Sequence, residues 1–86
     1  MKINQLILIV REKIEQNIEL ENLIIEDKSF LHKKHKTNDK EKFHLKLSIK
    51  SNQLKKTDKI KSMRKIHLIL KEELEKYIHS IQILIN

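Results

Sequence analysis

The sequence predicts a small α+β domain in the order helix, strand, strand, helix, strand, a three-stranded mixed sheet with its helices on one face. Three observations predict it. Apolar residues recur at three- and four-residue spacing near the start of the chain and again in its last third, the pattern of helices buried along one side. Phe43, Leu45, Leu47 and Ile49 alternate with His44, Lys46, Ser48 and Lys50, the period of a strand with one dry and one wet face. From Ile78 onward the two-residue period returns. The 86 residues, 38% of them hydrophobic, suffice for one domain spanning 1–86 with one modest core.

The first helix is expected over residues 2–17, carried by Ile3, Leu6, Ile7, Val10, Ile14 and Ile18, with Arg11, Glu12 and Lys13 toward solvent. Leu23-Ile24-Ile25-Glu26-Asp27 reads as the first strand. Residues 28–41 lose all periodicity and read as a mobile basic loop. The second strand follows at 43–49, then a turn over 50–56 anchored by Leu54. Thr57 or Asp58 can cap the next helix by accepting bonds from free backbone amides. That helix is expected to run unbroken to Tyr77 on a buried stripe of Ile60, Met63, Ile66 with His67, Leu70, Leu74 and Tyr77. It passes directly into a terminal strand at 78–85, with His79 at the joint. The central strands would form an antiparallel hairpin, and the last strand, arriving by a helical crossover, would lie parallel to one of them.

Composition narrows the function. Cysteine is absent, so the chain has no disulfide, thiol nucleophile or cysteinyl metal site, and any metal it holds must use histidine, carboxylate or a partner's ligands. Glycine, proline and alanine are absent too, a pattern of coding bias toward lysine, isoleucine and asparagine. The longest apolar run, Leu6–Val10, is five residues where a membrane span needs about 20. A soluble chain is expected, cytoplasmic for want of an evident presequence, with a mitochondrial setting left open. The net charge of +7 is uneven: residues 1–27 hold three basic and six acidic side chains, residues 43–65 eight and one. The middle of the chain is a basic face suited to an anionic partner.

No enzyme is predicted. Glu72 and Glu73 are adjacent, point apart on a helix and read as a solvated face. The serines lack a nucleophile-elbow setting, and without glycine there is no phosphate-cradling loop. The five histidines remain. His32 and His35 form H-K-K-H in the loop, a pair short of a zinc site on its own. His44 reads as a solvated strand residue, His67 as a partly buried helix residue, and His79 as a polar residue at the edge of the core. A nucleic-acid-binding regulator is the alternative reading, with Lys55, Lys56, Lys59, Lys61, Arg64 and Lys65 on the lysine-rich 46–65 face neutralising DNA or RNA phosphates. Against it stand three aromatic residues in the whole chain and the absence of a glycine clamp loop.

Several motifs resemble the BolA-like family of small class II KH-fold proteins. V-R-E-K-I at 10–14 is similar to its first-helix pattern, I-I-E-D-K-S at 24–29 to its first strand, and F-H-L-K-L-S-I-K-S at 43–51 to its second. The family pattern S-x-x-F-x-G, five residues, R-H-R meets Ser51, Leu54, Lys56, Ser62, Met63 and Arg64 without a gap. L-K-E-E-L at 70–74 and I-H-S-I at 78–81 resemble its L-A-E-E-L and V-H-A-L. Two departures stand out: Lys56 replaces the usual glycine, where a left-handed backbone would cost about 1 kcal/mol, and Met63 replaces the central histidine of R-H-R.

The resemblance implies a non-enzymatic partner of a monothiol glutaredoxin, the two holding a bridging two-iron two-sulfur cluster in iron–sulfur trafficking or iron regulation. It implies His79 and His32 as this chain's ligands, with His35 as the alternate to His32, while the glutaredoxin contributes a cysteine and bound glutathione. The isolated chain is then expected to be a monomer without a cofactor, and the basic face would speed encounter with an acidic partner surface.

Overall fold

A computed structural model describes residues 1–29 and 42–86. Most of the expected loop, and His32 and His35 with it, lies outside the described residues. The elements are α1 (Ile3–Asn17), β1 (Asn22–Asp27), β2 (Phe43–Lys50), α2 (Asn52–Lys55), α3 (Lys59–Ile69), α4 (Lys71–Lys76) and β3 (Ile78–Ile85). The sheet runs β1-β2-β3, with β1 antiparallel and β3 parallel to the central β2. Among the described residues no helix is long and apolar enough to cross a membrane.

The strand alternation divides the sheet as the sequence predicts. Leu45, Leu47 and Ile49 turn into a core shared with Leu6, Val10 and Ile14 of α1, Ile66 of α3 and Leu70, all buried. His44, Lys46 and Ser48 take the other face of β2. Asp58 caps α3, accepting from the Ile60 amide at 3.3 Å.

Three details depart from expectation. The segment 50–56 is not only a turn: it contains α2, one helical turn capped by the buried Ser51, whose Oγ accepts from the Leu54 amide (3.2 Å) and whose hydroxyl donates to the Glu19 carbonyl (2.7 Å). Lys56 has φ −76° and ψ −14°, so it is right-handed, and the cost of a left-handed lysine does not arise. The long helix is broken at Leu70, whose φ of −101° and ψ of 15° separate α3 from α4.

The buried stripe is also rotated. Ser62, fully buried, donates its hydroxyl to the Leu54 carbonyl at 3.1 Å, joining the Thr57 amide at 3.2 Å on that acceptor at the end of α2. On the side of Ser62, Ile66 and Leu70 are buried, with Met63 packed against the core, while Ile60 and His67 face solvent. Ile60 is 61% exposed.

Glu73 corrects the reading of Glu72-Glu73 as a solvated face. Its side chain is 5% exposed, and its Oε2 accepts from Lys13 Nζ at 2.6 Å, joining α4 to α1. Its Oε1 accepts no hydrogen bond from a described residue. Lys13, also 3.8 Å from Glu72, is thus part of a helix–helix clasp and not simply solvent-facing. The Glu73 hydrogen bond, aided by the charges of Glu73 and Glu72, raises the Lys13 ammonium above the ordinary lysine value against the opposing effect of desolvation.

Candidate functional site

The register of β2 and β3 explains why His79 stands where it does. Ile78 and the trio Ile81, Ile83 and Ile85 all belong to the core or pack against it, yet Ile78 is out of phase with the others for a period of two. A strict strand would send one set to water. The chain resolves the conflict with one extra residue: Phe43 pairs with Ile78, but His44 pairs with Ser80, leaving His79 as an irregularity between them. Such bulges re-aim side chains at strand ends. Here His79 and Ser80 are consecutive and both exposed.

This arrangement brings a second histidine to His79. His44, next to Phe43 on β2, lies 4.9 Å from His79 between ring centroids, the planes at 61°. Its Nδ1 is 2.6 Å from Ser80 Oγ, and its backbone amide donates to Ser29 Oγ at 3.1 Å. Ser29 in turn donates its amide to Asp27 Oδ1 at 2.9 Å, and the Lys28 amide donates to the His44 carbonyl at 2.7 Å. The end of β1 thereby holds the start of β2 in place. Beside the rings a depression of about 380 Å³ is lined by Lys28, His44, Lys46, Ser80 and Gln82, with Leu45 and Ile81 beneath.

The donor set suits a soft or borderline metal. Imidazole is a ligand for iron, copper and zinc. In the tautomer where His44 Nδ1 donates to Ser80, the lone pair is on Nε2, and the hydroxyl orients the ring as outer-shell partners of metal-bound histidines do. A ring centre lies about 3 Å from a metal bound at about 2.1 Å, so two rings on one tetrahedral metal stand about 5 Å apart. The spacing seen fits that size. No group of three or more metal-ligating side chains occurs among the described residues. Two imidazoles therefore make half a tetrahedral site, and the remaining ligands must come from elsewhere.

Of the expected site residues, His79 is at this centre, and His32 and His35 lie outside the described residues. His44, by its strand period, reads only as a solvated strand residue. The signal that could have found it is the cross-strand register, which depends on the bulge and cannot be read from either strand alone. His67 stands apart on α3, exposed. Lys55 and Lys56 sit at the end of α2, and Lys59, Lys61, Arg64 and Lys65 on α3; none forms an ion pair among the described residues.

A three-stranded mixed sheet backed by helices in this order makes the chain a small α+β module. The family model for BolA-like protein matches residues 14–86, and the chain belongs to the BolA-like family. Solved structures agree. BolA1 from Arabidopsis thaliana is 29% identical with a TM-score of 0.73, covering 90% of this chain and 85% of its own. The BolA domain of SufE1 from Arabidopsis thaliana is 27% identical with a TM-score of 0.76, covering 100% and 93%. BolA1 protein from Mus musculus shares the fold at 23% identity and a TM-score of 0.70, covering 90% of this chain and 60% of its own. No curated protein sequence matches.

Proposed function

We propose that this chain is a non-enzymatic adaptor that pairs with a monothiol glutaredoxin and co-ligates a bridging two-iron two-sulfur cluster, in cluster trafficking or iron regulation. Membership of the BolA-like family supports the class. The observation that carries the reading is the juxtaposition of His79 and His44 at the sheet end, 4.9 Å apart. Two neutral imidazoles are enough for one iron of such a cluster, and the other ligands fall to the partner's cysteine and glutathione. Histidine in place of thiolate raises the potential of the cluster relative to all-cysteine ligation. His79 is one ligand of this chain; His44 is the second on geometric grounds, while the family pattern offers His32, with His35 as its alternate, in its place.

The test is anaerobic co-purification of the chain with a monothiol glutaredoxin and glutathione. A coloured heterocomplex is expected, with a visible circular dichroism spectrum different from that of the glutaredoxin homodimer. His79→Ala should make the cluster labile and move the spectrum toward the homodimer's. A colourless mixture, or a spectrum identical to the homodimer's, refutes the reading.

A further inference from the structure

The rotation of α3 leaves a surface that the sheet-end site does not use. Ile60, Arg64, His67 and Leu68 follow one another at i, i+4, i+7 and i+8 on one exposed stripe, with Met63, which also packs against the core, along its edge. Ile60 is 61% and Leu68 72% exposed. With Lys59 they line a shallow depression of about 680 Å³. Isolated exposed aliphatics are ordinary, and isoleucine is abundant in this chain. Here, however, two exposed large aliphatic side chains share one stripe about 12 Å long, with the half-buried Met63 thioether at its edge. Lys59 and Arg64 line the same depression, and neither they nor Lys55, Lys56, Lys61 and Lys65 of the same segment form an ion pair among the described residues.

We infer that the solvent face of α3 docks an acidic amphipathic helix of a partner protein, its apolar side on Ile60, Met63 and Leu68 and its carboxylates on the surrounding cations. Charge decides the occupant. A second copy would bring two basic rims together, in a chain already at +7. A nucleic acid would satisfy the cations but cover the aliphatic stripe with phosphate and sugar, and the stripe has no aromatic side chain on which a base could stack. An anionic lipid surface would meet both needs weakly, because the exposed face of α3 presents two aliphatics and a half-buried Met63, interrupted by Arg64 and His67. An acidic helix laid in the groove meets both together, with anchors at helical spacing. The site lies in the helix layer, whereas His44 takes the sheet face away from the helices, so occupation here does not depend on cluster ligation.

The experiment titrates the isotope-labelled full chain with a synthetic helical peptide carrying leucine along one face and glutamate on the other two. The control peptide has the same composition in an order that destroys the face. Saturable amide shifts centred on residues 59–68 are expected, with affinity falling several-fold as salt is raised past the point where the Debye length is about 10 Å. Ile60→Ser with Leu68→Ser should weaken binding at least about tenfold, the loss of two buried aliphatic anchors, while leaving the far-ultraviolet spectrum intact. Lys61→Glu with Arg64→Glu should weaken it without altering the fold. The inference is overturned by any one of three results. These are equal binding of the control peptide, shifts centred elsewhere, and binding to phosphatidylserine vesicles or duplex DNA that depends on Ile60 and Leu68 while the peptide fails to bind.

Discussion

Replacing Lys13 by methionine tests the packing of α1 against α4 most sharply. The substitution keeps the aliphatic stem and removes the ammonium that sits 2.6 Å from a nearly buried Glu73 carboxylate. Removing one partner of a buried ion pair costs about 3–5 kcal/mol because a charge is left uncompensated. Lys13 itself is a third exposed, so part of that attraction is already screened. A loss of about 2–3 kcal/mol follows, which for a domain of this size lowers the melting temperature by roughly 10–20 °C. Glu73→Gln should cost less, about 1 kcal/mol, because the stranded Lys13 retains water and Glu72. Replacing both residues by methionine should restore much of the loss, giving a coupling of at least about 1 kcal/mol. Urea unfolding followed by far-ultraviolet circular dichroism reads all three. A Lys13→Met loss below about 0.5 kcal/mol, or strict additivity in the double variant, refutes the clasp.

Other predictions rest on separate features. Because the folded state raises the Lys13 pKa, its contribution is fully present below the unfolded lysine value of about 10.4 and is lost as pH rises through the folded one; denaturation midpoints of wild type and Lys13→Met should therefore converge in strong alkali and nowhere between pH 6 and 9. Ser62→Ala should cost about 0.5–1.5 kcal/mol, the loss of one buried hydroxyl bond to a Leu54 carbonyl that keeps the Thr57 amide, and a neutral result in urea unfolding would contradict the buried role given to Ser62. Ser80→Ala should leave folding intact, the residue being exposed, but should speed cluster loss from the heterocomplex by removing the group that orients His44.

Much of the architecture was legible because it depends on periods local to one element. The alternation at 43–49 predicts β2 and its dry face without reference to any other segment, and α1 follows likewise from Leu6, Val10 and Ile14. Features set by contacts between elements were not legible. On α3, Ser62 takes the buried side, its hydroxyl reaching a carbonyl eight residues earlier, and a serine among lysines reads as solvent-facing. The burial of Glu73 requires Lys13 from sixty residues away. Lys56 reads as strained only if the family's glycine is taken to mean a left-handed backbone, and its φ of −76° removes that premise.

The candidate site divides in the same way. His79 was visible as a polar residue where the helical period becomes the strand period. That it is a bulge residue follows only from the conflict between Ile78 and Ile81 over which face is dry, and that conflict appears once β2 is beside β3. His44 carries no sign in its own strand, where period alone assigns it to water. It becomes a candidate ligand through the 2.6 Å contact with Ser80 and the ring beside it.

Pulsed electron paramagnetic resonance on the reduced heterocomplex with a monothiol glutaredoxin tests the central claim most directly, because it counts the imidazole nitrogens coupled to the cluster. The wild-type chain is predicted to show two histidine nitrogens. Either His44→Ala or His79→Ala should leave one such coupling, and His32→Ala should leave both. A spectrum with no histidine coupling, or one unchanged by His44→Ala and His79→Ala alike, contradicts the assignment of the sheet-end pair.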